Sequence, residues 1–505
     1  MSTENSNSRR TSTRREFFGR TAGATALGAS LLSLAEAKAQ TVAVKKGKPV
    51  PKVTTRVLGA NDRINLGFIG CGMQFNALLR ISFMGRKEAK NDFEYAAVSD
   101  VWKPRLKFAQ EQTKAEKTYR DFHDVIARPD IDGVVIAVPD HWHYTIASAA
   151  LQSGKDVYLE KPMTYTIDEA AKINDQVAQT KRVLQVGGAG PAFKVLWRAN
   201  EYVKAGKMGK VLWGLISYNR NTTTGMRDYP IPGVGEISWP DAEVSPGKNL
   251  DWTMWLGPAR KRPFSAERYF RWRKFWDYSG GNATDLLFHQ LGVMSTIIGF
   301  DFPSRAVAAG GIYVQKNREV PDTYMTMVEY PGEYAVNMIS CMGNMTSAPM
   351  TVYGNWGTMQ VNMGPPVGGM GDQAAQRERP QGAPPGLPPG ARLPDGPPRR
   401  PRGPNFTITV KAERQFLKQF QEANDGKTEV TIESEPGPDL ASDWLDSMRS
   451  RETPVYNSLR GYQVMTAIKL GVDSYRYGKV MAFDPKTRRI LPAAPPHAEY
   501  PPKDA

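Results

Sequence analysis

Asp285 and His289 are the pair of side chains whose types and spacing could do acid–base chemistry. They lie four residues apart, just after Gly280-Gly281, so on a helix both side chains share one face and can reach one ligand. An imidazole exchanges protons near neutral pH, and a carboxylate can orient it. A histidine on such a helix can equally be a hydrogen-bonded core residue.

A lysine with unusual neighbours follows a predicted strand. Lys161 stands in Glu160-Lys161-Pro162, directly after the strand predicted at 156–159, and residues 137–143 follow the preceding strand in the same way. The carboxyl ends of parallel strands meet at one edge of a sheet, which is where ligands bind in such sheets. Without its neighbours, a lysine at a strand end would be read as a solvated charge.

A glycine turn, Gly70-Cys71-Gly72, joins an apolar strand predicted at 64–69 to a helix predicted at 73–84. Glycines in such a turn let backbone N–H groups approach a pyrophosphate. Phe75 occupies the position of the third glycine of the dinucleotide fingerprint. Asp100 ends the second strand, where a carboxylate would accept from ribose hydroxyls and repel a 2′-phosphate, so NAD is favoured over NADP.

The elements that must position these residues follow two rhythms. From residue 64 to 186, short β-branched runs alternate with helical stretches, which predicts an α/β Rossmann domain with a mainly parallel, doubly wound sheet. Longer alternating strands follow after about residue 190, which predicts an α+β domain with a large, mostly antiparallel open sheet. Two helices, at 440–449 and 459–477, are expected to close the chain and to pack back on the sheets.

Together these motifs resemble the Gfo/Idh/MocA family, named for glucose-fructose oxidoreductase and inositol dehydrogenase. Glu160-Lys161-Pro162 is its most specific motif, and the resemblance runs from about Ile64 to Phe483. It implies hydride transfer between a nicotinamide cofactor and a secondary hydroxyl of a sugar or polyol. It also implies that Lys161 lies beside the nicotinamide and the hydroxyl, that His289 is the general base and acid, and that Asp285 orients the imidazole or binds the adjacent hydroxyl.

The cofactor residues expected from the motifs and the resemblance lie at the carboxyl edge of the first sheet. They are Gly70, Gly72, Met73, Gln74, Asp100, Val138, Pro139, His143, Glu160 and Lys161. His141, His143, Asp285 and His289 have types that suit zinc. His-x-His after a parallel strand also matches the family's loop, so no metal site is predicted. Asp140 stands where the family more often has Asn.

Aromatic and guanidinium side chains are dense between residues 268 and 278. Such side chains stack on sugar rings and bind hydroxyls, so Arg271, Trp272 and Tyr278 are predicted to contact a carbohydrate or polyol substrate. The same composition would also suit packing at an oligomer interface. The resemblance implies a homo-oligomer, a dimer or tetramer.

The first residues predict export. Thr13-Arg14-Arg15-Glu16-Phe17-Phe18, a mild apolar stretch and Ala37-Lys38-Ala39 resemble a twin-arginine signal, and they predict contact with that export machinery and a periplasmic location. The apolar stretch is too short to span a bilayer, so no integral membrane protein is expected. The predicted organisation is a signal peptide at 1–39, a linker at 40–62, an NAD-binding domain at 63–187, a substrate and oligomerisation domain at 188–484 with a Pro/Gly/Arg-rich insertion at 364–405, and a tail at 485–505.

Charge argues against nucleic acid as a partner. The chain of 505 residues has a formal net charge of +15, but residues 1–60 and 371–405 hold +8 and +3 of it. A duplex-binding face needs clustered cations, and the remaining charge is spread over the rest of the chain. Two alternatives to a simple dehydrogenase stay open: an NAD-dependent glycosidase or lyase that oxidises its sugar transiently, and a non-catalytic sugar-binding relative.

Overall fold

The computed structural model describes residues 59, 62–188, 190–221, 228, 231, 243–362, 407–433, 437 and 439–492. Several sequence predictions lie outside these residues. They are the signal peptide at 1–39, almost all of the linker at 40–62, the insertion at 364–405 and residues 493–505 of the tail.

The first domain is built on a parallel sheet. Its strands are β1 (Ile64–Ile69), β2 (Phe93–Ser99), β3 (Lys117–Tyr119), β4 (Gly133–Ile136), β5 (Asp156–Leu159) and β6 (Leu184–Val186). In the described residues these six strands pair in the order β3-β2-β1-β4-β5-β6, all parallel. This order reverses direction beside β1, which confirms the predicted doubly wound sheet and places a crevice at the carboxyl ends of β1 and β4.

Helices cover both faces of this sheet. They are α1 (Met73–Leu78), α2 (Met84–Lys90), α3 (Lys103–Thr113), α4 (Phe122–Ile126), α5 (His143–Gln152) and α6 (Ile167–Thr180). A π-helical segment, Leu79–Phe83, joins α1 to α2, so the helix after the glycine turn continues to Lys90. Phe75 packs edge-to-face on Phe68 of β1, with ring centroids 5.6 Å apart. This aromatic contact stands where the third glycine would have allowed close packing.

The second domain holds the large open sheet. Its strands are β7 (Val211–Ser217), β8 (Arg305–Gly311), β9 (Thr323–Tyr330), β10 (Tyr334–Cys341), β11 (Met350–Gly354), β12 (Gly357–Asn362), β13 (Thr407–Ala412), β14 (Glu429–Ile432), β15 (Met481–Asp484) and β16 (Arg489–Pro492). In the described residues the order is β14-β13-β12-β11-β7-β10-β9-β8-β15-β16. The pair β7–β10 is parallel and the other pairs with a described register are antiparallel, as predicted.

Alternation along the strands separates the two faces of this sheet. In β9, Tyr324, Thr326 and Val328 are buried, whereas Met325 between them is 48% exposed. The helices of the domain pack on the buried face; they are α7 (Lys194–Lys204), α8 (Trp252–Leu256), α9 (Ala266–Phe270), α10 (Phe288–Ile298), α11 (Leu417–Ala423), α12 (Leu440–Ser450) and α13 (Ser458–Tyr477). The apolar period of two therefore fixes which face holds the core.

The two C-terminal helices contact the first domain. Trp444 of α12 packs against Tyr158 of β5, with ring centroids 5.8 Å apart, and α13 runs along α6. Within the residues described, none of these helices combines the length and apolar character needed to cross a bilayer.

Residues 243–278, here called the cap segment, lie against the carboxyl edge of the first sheet. Their aromatic side chains form a second hydrophobic cluster around Trp102, which is fully buried. Backbone hydrogen bonds attach the segment: Lys103 N–H donates to Asn249 O at 2.9 Å, and Asp251 N–H donates to Val101 O at 3.1 Å. The cap segment is therefore packed as part of the protein core.

Candidate active site

A cleft of about 1150 Å³, open to solvent, lies over the carboxyl ends of β1, β2, β4 and β5. The first domain lines it with predicted cofactor residues, which are Gly70, Gly72, Met73, Gln74, Asp100, Val138, Pro139, Glu160 and Lys161. The second domain lines it with Met254, Trp255, Tyr269, Phe270, Trp272, Arg273 and Asp285. Both domains therefore contribute walls to one space.

The glycine turn brings backbone up to this cleft. Gly70 has φ of +88°, and a Cβ there would lie 2.6 Å from the backbone oxygen of Ala137, so only glycine fits. At Gly72 a Cβ would have only the guanidinium of Arg105 nearby, at 3.7 Å. The turn leaves open backbone at the start of a long helix, beside a cation, which fits the pyrophosphate of a dinucleotide.

Asp100 fastens the glycine turn to the second strand. Its Oδ2 accepts from Cys71 N–H and its Oδ1 from Trp102 N–H, each at 2.8 Å. Burial raises the pKa of this carboxyl, and nearby Arg105 and the two backbone donors oppose that rise. Each oxygen keeps a further acceptor site. Asp100 lines the cleft where the predicted ribose contact requires it, and that contact remains a prediction.

Lys161 and Asp285, 124 residues apart in the chain, meet in the cleft. Lys161 Nζ donates to Asp285 Oδ1 at 2.8 Å and to the Asp285 backbone oxygen at 2.9 Å. An ammonium has three donors, so one remains for a ligand. Arg273 Nε donates to the same Oδ1 at 3.1 Å. One carboxylate thus holds two cations at the cleft wall.

Glu160 supports the lysine from behind. Its Oε2 accepts from Lys161 N–H at 3.1 Å and its Oε1 accepts from Gln74 Nε2 at 3.1 Å. Burial raises the pKa of Glu160, and the Lys161 charge and these bonds counter that rise. A Cβ at Gly187 would lie 2.8 Å from this carboxylate, so glycine makes room for it. The three residues Gln74, Glu160 and Lys161 therefore form one linked unit.

Asp140 adds a second carboxylate that sequence reasoning did not select. It is 3% exposed, lines the cleft, and its Oδ2 accepts from Thr284 Oγ1 at 3.1 Å. Burial raises its pKa to about 6, although Arg273 and Lys161 both act to lower it. Asp140, Lys161, Arg273 and Asp285 are called the charged cluster below. The signal for Asp140 was its place after β4, at the predicted ligand edge.

His289 lies one turn beyond Asp285. Asp285 belongs to a π-helical segment, Ala283–Leu287, and His289 is half-buried in the first turn of α10. The described residues that line the cleft include Asp285 but not His289. The spacing rule assumed α-helical geometry at this point. The acid–base role of His289 therefore remains a prediction from the resemblance.

His143 lies behind the cleft wall, contrary to the cofactor contact expected of it. The ring is fully buried, with Nδ1 2.5 Å from Pro162 O and Nε2 2.9 Å from Val138 O. Burial lowers its pKa to about 4. Because both nitrogens face backbone carbonyls, the ring ties the loop after β4 to the loop after β5 and has none left for a cofactor.

Of the three predicted substrate residues, only Trp272 lines the cleft. Arg271 pairs with Glu267 at 2.8 Å and with Asp228 at 3.2 Å. Tyr278 is fully buried against Trp255, with centroids 4.8 Å apart. Arg273, which sequence reasoning passed over, is the guanidinium of this run that reaches the cleft. Its place in the run gave no signal that separated it from Arg271.

The zinc alternative finds no support in the geometry. Across the described part of the chain, no group of three or more His, Cys, Asp or Glu is placed to hold a metal ion. The two cysteines, Cys71 and Cys341, are both free thiols.

Comparison with known proteins gives a family match on both domains. Residues 64–188 match a model described as an oxidoreductase family with an NAD-binding Rossmann fold. Residues 199–332 match the model for the C-terminal alpha/beta domain of the same family. The NAD-binding assignment of the first domain agrees with the glycine turn and Asp100.

Curated relatives match parts of the chain. A Glycosyl hydrolase family 109 protein of Shewanella pealeana is 26% identical over 285 residues, which is 51% of this chain and 61% of that protein. The scyllo-inositol 2-dehydrogenase (NAD(+)) of Bacillus subtilis is 27% identical over 143 residues, 27% of this chain and 42% of that protein. The chain thus spans less than two thirds of either relative.

Solved structures share the fold. Levoglucosan dehydrogenase in complex with NADH superposes with a TM-score of 0.54 at 17% sequence identity, covering 83% of this chain and 98% of that chain. At such identity the likeness concerns the fold alone.

Proposed function

Because this chain belongs to the Gfo/Idh/MocA oxidoreductase family and carries its NAD-binding Rossmann domain, we propose that it transfers a hydride between NAD and a secondary hydroxyl of a sugar or polyol. The observation that carries the proposal is the contact of Lys161 with Asp285 in the cleft that begins at Gly70. The match to an inositol dehydrogenase and the fold shared with a sugar dehydrogenase support this substrate class.

Bound NAD supplies the hydride acceptor, and the chain supplies the remaining chemistry. The third N–H of Lys161 can donate to the substrate oxygen and stabilise the negative charge that develops there. Asp285 positions this ammonium through two hydrogen bonds, and Arg273 shares the carboxylate. The resemblance assigns proton transfer to His289, one turn from Asp285.

We further propose that the cofactor stays bound between turnovers. The cap segment lines the cleft with Trp255, Tyr269 and Phe270, whose side chains are buried in the cluster around Trp102. Trp142 Nε1–H also donates to Trp255 O at 2.7 Å, so the wall is attached to the first domain. Release of a dinucleotide would require this packed wall to open, which makes dissociation slow.

Export would make such retention necessary. The twin-arginine motif at Arg14-Arg15 supports secretion of the protein, with cleavage after Ala39. The periplasm offers no pool of NAD, so hydride would have to return within the same site. N-terminal sequencing of the secreted protein tests this step: a start at Gln40 is expected, and an intact Met1 in the cytoplasm would contradict it.

The relative named for glycosyl hydrolase family 109 favours a second candidate function. In that reaction a sugar is oxidised, loses a substituent by elimination and regains its hydride, so a glycosidic bond is broken without net redox change. Lys161 and Asp285 would serve either reaction, and the products separate the two.

One incubation separates these functions. The purified protein is mixed with free hexoses, with inositols and with p-nitrophenyl glycosides, while NADH absorbance and released nitrophenol are followed together. Oxidised sugar with reduced cofactor is the expected result. Nitrophenol without NADH would identify the glycosidase, and neither product with any compound would contradict both.

The exposed face of the second sheet supports a homo-oligomer. Its apolar side chains include Val307, 41% exposed on β8, and Met325, 48% exposed on β9. Trp213 of β7 and Tyr353 of β11 stack on adjacent strands, with ring centroids 3.8 Å apart. We propose that a second copy covers this face. Sedimentation equilibrium tests it, since a monomer at micromolar concentration would contradict the proposal.

A further inference from the structure

Asp140 occupies a place where a carboxylate can act on a ligand. It follows β4 and begins a short 3-10 helix, Asp140–Trp142, yet its side chain accepts no hydrogen bond from the backbone of that helix. Instead the carboxyl group lines the cleft beside Lys161 and Asp285. A buried acid that leaves its own helix uncapped has another use for its oxygens.

The two oxygens of Asp140 are not equivalent. Thr284 Oγ1 accepts from Gly280 N–H at 3.1 Å, so its single hydrogen is free to point at Asp140 Oδ2, also at 3.1 Å. That bond keeps Oδ2 an acceptor. Oδ1 makes no hydrogen bond to the described residues, although the carboxyl group borders the cleft. A proton taken up by Asp140 would therefore bind at Oδ1.

The charges around Asp140 come from several elements. Lys161 follows β5, Arg273 belongs to the cap segment, Asp285 precedes α10, and Tyr165 precedes α6. Lys161 and Arg273 favour the carboxylate, whereas Asp285 and burial favour the neutral acid. Burial raises the pKa of Tyr165 to about 12, so this phenol stays neutral. Asp140 is thus held between two opposing influences.

We propose that Asp140 is a catalytic base and acid of this site: its Oδ1 takes the proton of the substrate hydroxyl and returns it in the reverse reaction. The step rests on the proposed function. The substrate O–H bond breaks and an O–H bond forms on Oδ1, while the hydride leaves the carbon for NAD and the alcohol becomes a carbonyl. Lys161 hydrogen-bonds the oxygen throughout.

The protonation balance of Asp140 suits this work. With its pKa raised to about 6, the group is a carboxylate above that pH and a neutral acid below it. Alcohol oxidation should therefore become faster as the pH rises through about 6. A general base matched to its operating pH in this way contributes roughly 10²- to 10⁴-fold to rate.

The first test is Asp140→Asn, which keeps shape and the bond from Thr284. We expect kcat/KM for a turned-over sugar to fall by roughly 10²- to 10⁴-fold at pH 7.5 and to lose its rise near pH 6. Asp132→Asn is the matched control, because Asp132 is equally buried but lies at the opposite edge of the same sheet. It should keep both the rate and the pH dependence.

Thr284→Val provides a second test with the opposite direction. The Thr284 hydrogen bond lowers the pKa of Asp140. Its removal should shift the acid limb upward by about one pH unit while turnover persists at high pH. Carbon-13 NMR of aspartate-labelled protein gives a readout without substrate: one carboxyl signal should titrate near pH 6 in the wild type and be missing in Asp140→Asn.

The outcomes are distinct. A limb that persists in Asp140→Asn but vanishes in His289→Ala would overturn the proposal and return the proton to His289. So would a wild type without a carboxyl signal near pH 6. Wild-type protein that turns over no sugar or polyol refutes the proposed function, and this inference falls with it; an active enzyme with an unchanged profile in Asp140→Asn refutes this inference alone.

Discussion

Replacing Lys161 by methionine should damage turnover far more than stability. The substitution removes the ammonium, with its bonds to Asp285 at 2.8 and 2.9 Å, and keeps an unbranched side chain in place. Asp285 retains the bond from Arg273 at 3.1 Å, so the carboxylate keeps a cation. We expect the free energy of unfolding to fall by about 1–3 kcal/mol, the range for hydrogen bonds to charged groups. Loss of all pairing for a buried charge would cost about 3–5 kcal/mol.

The catalytic effect follows from the donor that Lys161 has left. If that N–H stabilises the developing charge on the substrate oxygen, its loss should lower kcat by roughly 10²- to 10³-fold. Initial rates and urea denaturation of the same preparation measure the two effects. Lys172→Met is the matched control: its pair with Asp168 is exposed, so kcat should be unchanged and stability should fall by less than about 0.5 kcal/mol. A Lys161→Met enzyme with wild-type kcat would refute the reasoning.

Three further predictions concern the cofactor cleft. Gly70→Ala should weaken NAD binding at least tenfold in calorimetry, because the added Cβ meets backbone at 2.6 Å, whereas Gly85→Ala, with nothing within 4 Å, should bind normally; equal affinities would contradict the assignment. Trp142→Phe removes the 2.7 Å bond to Trp255 O and should cost about 1 kcal/mol and speed cofactor release in stopped-flow fluorescence; unchanged release would show that the cap does not retain it. Because the folded protein holds the Asp140 proton up to a pKa of about 6, above its ordinary value 3.8, this group loses stability for the fold as pH rises from about 4 to about 6. Asp140→Asn should therefore be more stable than wild type at pH 8, by on the order of 2–3 kcal/mol, with the gain shrinking towards pH 4; a gain independent of pH would contradict this.

The fold was largely predictable because its strands are buried runs of apolar residues. Ile64–Ile69 and Asp156–Leu159 were predicted with the bounds they have, and Ile167–Thr180 carries a capping box from Thr166 to Glu169 that marks its start. Lys117–Tyr119 escaped because three half-exposed residues leave no period to detect. The helix after the glycine turn was predicted too short because its π-helical middle shifts the apolar pattern.

The site was predictable only where local motifs determine it. Gly70 and Lys161 each stand at a strand end that the sequence marks, and both line the cleft. The contact of Arg273 with Asp285 depends on how the cap segment packs, and no local pattern records that. Tyr278 was assigned to the substrate because aromatic residues in a core and in a sugar site have the same composition; its complete burial distinguishes them.

The central claim is that this cleft holds a nicotinamide dinucleotide against Gly70 and beneath the cap segment. The most direct measurement is to denature the purified protein and quantify nicotinamide dinucleotide in the supernatant by chromatography. The account predicts close to one NAD or NADH per chain. Protein that releases none, and that also fails to bind added NAD, would contradict it.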